Sequence, residues 1–150
     1  MKTLHIMRHA KSDWAAGATT DHARPINDRG RRQAAEQAAL FEDTKLDAVV
    51  SSDATRAVQT AAYILRVCDD AESIQTPDLY HASVADWCDV CAGFPDEWTE
   101  VLAVAHNPGI GELLLRLGGD GHVPTATILT VRLASWDALL DGELVEVAKP

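Results

Sequence analysis

The chain has 150 residues, 47% hydrophobic but only 5% aromatic, so one domain with a core of Ala, Val, Leu and Ile is expected. Its 13 Lys and Arg stand against 23 Asp and Glu, a net charge of −10 that speaks against a broad nucleic-acid or anionic-membrane surface. The charge is also lopsided: residues 1–66 hold 10 basic and 8 acidic side chains, residues 67–150 hold 3 and 15, so a cationic pocket has to come mainly from the first half.

The first apolar run, "TLHIM", predicts a strand over 3–8 that ends on Arg8 and His9. It is too short for a secretory apolar region, and nothing in the chain approaches the ~20 apolar residues of a membrane helix. With three cysteines, an odd set, the expected setting is a reducing cytoplasm. Residues 9–26 then form a loop longer than an ordinary connection, a length that goes with function, and "DHARP" lies at its far end. A helix is expected near 28–42 with Asn27 as its N-cap, followed by a strand over 47–51, a helix over 53–68 capped by Asp53, and a short strand over 73–76.

Ser83 and Asp86 read as a capping box for a helix over 83–93. Within it Val84, Trp87, Cys88 and Cys91 follow i, i+3, i+4, i+7, which puts both thiols of the C-x-x-C on the buried face. A redox or zinc role lacks the second Cys/His pair it needs. A strand over 101–105 runs into His106, and a helix near 110–117 is closed by the glycines of "LGGDG". Strands over 126–133 and 143–148 flank "SWDALLDGE" without a crossover helix, which allows an antiparallel edge. Strands alternating with helices predict a single α/β domain over 1–150, a three-layer αβα sandwich around a mostly parallel sheet.

In such a sheet, ligands bind outside the carboxyl ends of the strands. Arg8 and His9 end the first strand, and His106 ends "VLAVAH". Arg56 lies in the first turn after "DAVVSS", where helical side chains tilt back toward the strand end. Singly, each residue is more often a surface group or a partner of some neighbouring carboxylate; together they deliver two guanidinium and two imidazole groups to one rim. A phosphate fits there, since guanidinium groups match its oxygens and the helix start would add backbone N–H groups. A nucleotide fingerprint is not present: in "HNPGIGELLL" the third glycine position is Leu114.

"MRHAKSDW", "RPINDRGRRQA", "SSDATRAVQTA" and "VAHNPGI", in this order, resemble the histidine phosphatase (phosphoglycerate mutase-like) superfamily, and within it the short bacterial phosphohistidine phosphatases of the SixA type. The resemblance covers essentially the whole chain. It implies that His9 is the nucleophile, transiently phosphorylated, and that Arg8, Arg56 and His106 hold the phosphoryl oxygens. It also implies that Arg24 sits at the same pocket, with Ser12 a further phosphate contact by its place in the first motif. A neutral imidazole is a competent nucleophile near pH 7, and fixed Arg and His donors can meet the charge of the transferring group, so no metal and no cofactor is expected. The remaining histidines agree: His5, His22, His81 and His122 show no ligand spacing, the first reading as a strand residue and the others as loop residues.

Two departures from the family pattern stand out. The usual R-H-G is R-H-A, with Ala10 expected to narrow the pocket slightly. A general acid is not evident either. Asp78 in "TPDLYHAS" and Asp21 in the long loop are the candidates, against the plainer readings of a turn residue and a partner of Arg24. A missing acid suits an imidazole leaving group, which departs more readily than an alkoxide. The expected substrate is therefore phosphohistidine on a phosphotransfer or phosphocarrier protein, with a small phosphomonoester of the sugar-phosphate type as the alternative and a non-catalytic phosphate-binding module as a third. Neither nucleic acid nor membrane is an expected partner, and oligomeric state is not legible.

Overall fold

A computed structural model describes residues 1–14 and 17–150. In chain order the elements are β1 (Lys2–Arg8), α1 (Asp28–Ala38), β2 (Ala48–Ser52), α2 (Thr55–Val67), β3 (Glu72–Thr76), α3 (Val84–Ala92), β4 (Glu100–Ala105), α4 (Gly109–Arg116), β5 (Ile128–Leu133) and β6 (Glu143–Ala148). The strands join one sheet in the order β3-β2-β4-β1-β5-β6. The first four are mutually parallel, whereas β5 runs antiparallel to β1, and β6 antiparallel to β5. The antiparallel edge is thus two strands wide, and the α/β class and three-layer arrangement are as expected.

Side-chain alternation explains the layers. In β1, Leu4 and Ile6 face one side while Met7 faces the other; in β4, Val101, Ala103 and Ala105 oppose Leu102 and Val104. The Leu4 side packs on Trp87 and Cys91 of α3 and on Ile110, Leu113 and Leu114 of α4. The Met7 side packs on Ala34 and Ala38 of α1 and on Ala57, Ala61 and Ile64 of α2. Burial on both faces is why these strands read as unbroken apolar runs. Trp87 is fully buried in the first layer, and truncating it to Ala would cost about 3–5 kcal/mol.

Several local expectations hold. Asn27 caps α1 by accepting the Gly30 N–H, and Ser83 and Asp86 form a reciprocal capping box on α3. Others are corrected. The helix read over 28–42 is α-helical only to Ala38; a 3-10 turn over Ala39–Phe41 then carries Phe41 into the core. Asp53 does not cap α2. The N-cap is Ala54, because the Asp53 carboxylate is taken by His22 Nε2 at 2.8 Å. The strand read from 126 begins at Ile128, since Ala126 adopts a left-handed backbone with φ of 63°. Of the two helical thiols, Cys91 is fully buried and pushed up to about 12, whereas Cys88 is only half-buried on the flank of the stripe. Among the described residues no helix is long and apolar enough to cross a membrane.

Candidate active site

The register of the sheet decides where the two imidazoles meet. β1 and β4 are neighbours with Arg8 opposite Ala105, so His9 and His106 leave adjacent strand ends together. The His9 N–H donates to the Ala105 carbonyl at 3.0 Å, prolonging the ladder by one residue. Their ring centroids lie 5.1 Å apart, and both rings are buried.

Each ring is held by one nitrogen. His9 Nδ1 lies 2.8 Å from the Ala10 carbonyl oxygen, which can only accept, so Nδ1 carries the proton and Nε2 is left with its lone pair. Arg56 Nε donates toward that lone pair at 3.4 Å. On the other ring, His106 Nε2 lies 2.8 Å from Ser52 Oγ. Ser52 Oγ also accepts the Ala54 N–H at 3.1 Å, and for its fully buried hydroxyl proton the acceptor among the described residues is His106 Nε2. The proton of His106 then sits on Nδ1, a buried atom with no protein partner. One ring offers a lone pair and the other an N–H.

Burial dominates the electrostatics. It lowers His9 from 6.5 to about 3, with Arg56, Arg8 and Arg24 adding to the effect against the opposing pull of the Ala10 carbonyl. His106 is likewise lowered to about 3, by burial first and then by His9, Arg56 and His81. Both imidazoles are therefore neutral at physiological pH. Arg8 is lowered by burial and by its two fellow guanidinium groups, the mark of crowded positive charge.

Arg56 emerges from the first turn of α2 as its position predicted, and it is almost wholly buried. One turn on, Thr60 accepts the Ala10 N–H at 3.0 Å and donates to the Arg56 carbonyl at 2.7 Å, tying α2 to the segment that carries His9. Asp21 clamps the guanidinium groups. One carboxylate oxygen accepts from Arg24 at 2.9 Å, and the other accepts from Arg56 at 3.0 Å and from the Tyr80 hydroxyl at 2.8 Å. Those bonds hold its carboxyl well below the ordinary range. Arg8 is steadied by the Val123 carbonyl at 3.0 Å, and Arg24 donates to Ser12 Oγ.

All six predicted residues, Arg8, His9, Ser12, Arg24, Arg56 and His106, line one cavity of about 310 Å3. Three guanidinium groups face one carboxylate there, an excess of positive charge suited to a multiply charged tetrahedral anion. Two of the amides at the start of α2 are already engaged. The Ala54 N–H goes to Ser52 and the Thr55 N–H to the His22 carbonyl, so neither is free to meet an anion. Nor does Ala10 narrow the pocket, because its methyl packs into the α1–α2 core.

Sequence reasoning missed Lys11, His81, Asn107 and Thr125 on the cavity wall. Lys11 and Asn107 sit inside the quoted motifs, so proximity to Arg8, His9 and His106 was the available signal; His81 and Thr125 offered none. His81 has a left-handed backbone with φ of 56° and lies against Tyr80, the rings tilted at 46° with centroids 4.0 Å apart. Gly109 lets this segment approach α4, since a Cβ there would overlap the Ala82 carbonyl. Asp78 lies outside the cavity, in the short 3-10 turn over Pro77–Leu79, and Asp21 is engaged as an acceptor on both oxygens. Asp78 is thus away from the cavity, and Asp21, on its wall, is held as an acceptor. Among the described residues no group of three or more His, Cys, Asp or Glu is arranged to hold a metal ion.

A family model described as the histidine phosphatase superfamily (branch 1) matches residues 4–113. No curated protein matches the chain in a sequence search. Among solved structures, the chain is similar to an Agrobacterium tumefaciens protein assigned as phosphohistidine phosphatase SixA, with 24% identity, a TM-score of 0.85, and 99% of this chain and 98% of that one covered. A second protein with the same assignment, from Nakamurella multipartitia, has 28% identity and a TM-score of 0.83 over 99% and 96% of the two chains. A protein histidine phosphatase SixA solved with tungstate has 22% identity and a TM-score of 0.80 over 98% and 96%.

Proposed function

The chain belongs to the histidine phosphatase superfamily, and we propose that it is a phosphohydrolase acting on phosphohistidine carried by another protein, with His9 as the nucleophile. The observation that carries this reading is His9, its unprotonated Nε2 beside Arg56, lining one cavity with three guanidinium groups and the His106 ring. In the first step Nε2 attacks phosphorus, the bond from phosphorus to the substrate nitrogen breaks, and the departing imidazole takes a proton from solvent water. In the second, water attacks the phosphoryl group on His9, loses a proton, and phosphate leaves with Nε2 restored. Arg8, Arg24, Arg56 and His106 stabilise the charge on the equatorial oxygens in both steps, with Ser12 orienting Arg24, so the chemistry calls on no metal.

The state of the carboxylates supports an imidazole over an alkoxide as leaving group. Asp21 is held ionised by Tyr80, Arg24 and Arg56, and Asp78 is outside the cavity. A sugar or serine alkoxide needs a proton that neither supplies, whereas an imidazole departs with little help.

The test compares turnover of a phosphohistidine protein, a phosphoserine peptide and a sugar phosphate by the wild type and by His9→Ala. Preference for the phosphohistidine protein, its loss by at least ~1,000-fold in His9→Ala, and an acid-labile, base-stable phosphoryl group trapped on the wild type are expected. A sugar phosphate preferred by orders of magnitude would overturn the substrate assignment, and undiminished activity of His9→Ala would overturn the mechanism.

A further inference from the structure

Beside the catalytic cavity, the sheet leaves part of one face uncovered. β3 is the edge strand, and on its α3 side Glu72, Ile74 and Thr76 line a hollow at alternate positions, with Ile74 half-buried against the core. Two adjoining hollows, of about 480 and 430 Å3, share Asp78, Asp89 and Val90 as a common wall. Together they make a trough whose floor is apolar, formed by Ile74, Val90, Phe94 and Trp98. Its near end is lined by Tyr80, whose ring meets His106 edge-on at 5.5 Å and whose hydroxyl bonds Asp21. The trough therefore begins at the wall of the catalytic cavity.

The rims of the trough carry Glu72, Asp78, Asp86 and Asp89, all exposed. Among the described residues none of these four carboxylates is in a salt bridge. A cavity with excess positive charge thus adjoins a groove of net negative charge. A small polyanion such as a sugar bisphosphate is attracted by the first and repelled by the second. A ligand that satisfies both presents a phosphoryl group and, within a few residues, a cation and an apolar side chain.

We propose that the trough over β3 and α3 docks the segment of the substrate protein flanking its phosphohistidine, and that this segment carries Lys or Arg together with an apolar side chain. The inference rests on the phosphohistidine reading above and adds the chemistry of the partner to it. The half-buried Ile74 and Val90, with the exposed edges of Phe94 and Trp98, receive the apolar side chain, while Asp78 and Asp89 attract the cations.

Two otherwise identical phosphohistidine peptides test it, one with Lys and Leu beside the phosphohistidine, the other with Glu and Ser. Wild-type kcat/KM should favour the basic peptide by about tenfold or more, and raising NaCl from ~50 to ~500 mM should remove most of that advantage. The double variant Asp78→Lys/Asp89→Lys should abolish or invert the preference while kcat/KM for p-nitrophenyl phosphate stays within about threefold. Equal wild-type kcat/KM for the two peptides, or a preference that survives charge reversal, overturns the docking surface and leaves the phosphatase reading standing. A wild type that turns over p-nitrophenyl phosphate but neither peptide overturns the phosphohistidine reading, and the docking inference with it. Should the double variant fail to fold, the peptide comparison and salt titration on the wild type decide alone.

Discussion

Replacing Ser52 by Ala isolates the device that sets the His106 proton. The Ser52 hydroxyl is fully buried between the Ala54 N–H and His106 Nε2, so its loss strands both without a polar partner. Each stranded group costs about 1–3 kcal/mol, so the two together cost about 2–6 kcal/mol, and at about 2–4 °C per kcal/mol for a chain of this size Tm falls by about 4–24 °C. The catalytic effect is distinct from that loss. Without Ser52 the imidazole is free to hold its proton on Nε2, and a bound phosphoryl group has to draw the Nδ1–H form back. Phosphatase kcat/KM measured well below Tm should fall by about tenfold, equivalent to about 1.4 kcal/mol, against the ~100- to 1,000-fold expected when a charge-stabilising donor is deleted outright in His106→Ala. Nitrogen chemical shifts of the His106 ring give an independent reading, with Nδ1–H alone in the wild type and a mixture in the variant. A wild-type ring protonated on Nε2, or a variant with unchanged kcat/KM, would refute the tautomer and the role of Ser52 in setting it.

Three further outcomes follow from the same geometry. His9 and His106, neutral in the fold down to about pH 3, charge near 6.5 in the unfolded chain, so below pH 6.5 the unfolded state binds more protons and each ring removes up to about 1.4 kcal/mol of stability per pH unit. Asp21 adds to the loss below about pH 4, where the unfolded carboxyl binds a proton that the clamped one still refuses; urea unfolding between pH 7 and 4 should show a steady fall, and a flat profile would contradict the burial of the two rings. Dialysis against EDTA should leave phosphatase kcat unchanged, because the transferring charge is met by guanidinium and imidazole donors; activity restored only by added divalent cation would contradict that. Asp78→Asn should leave the ratio of phosphoserine-peptide to p-nitrophenyl phosphate turnover unchanged within about twofold, and a selective loss on the alkoxide substrate would restore Asp78 as a general acid.

The amino-acid sequence by itself determined the elements, the layer order of the fold and the rim on which Arg8, His9, Arg56 and His106 meet. Those are consequences of local periodicity, capping chemistry and the fact that parallel strands present their carboxyl ends on one side. Even the direction of Arg56 was legible, because the backward tilt of side chains at a helix start is a local property. The tertiary structure decided what depends on partners distant in the chain. Asp53 has the composition of a cap, yet His22 takes its carboxylate from 31 residues away. Asp21 has the composition of an acid, yet Tyr80, 59 residues on, helps to lock it as an acceptor. The same holds for the tautomer of His106, which Ser52 sets across 54 residues, and for the presence of His81 in the cavity wall. A hydrogen bond between remote segments leaves no periodic trace, so the residues that tune the site came into view only when the sheet brought its strand ends together.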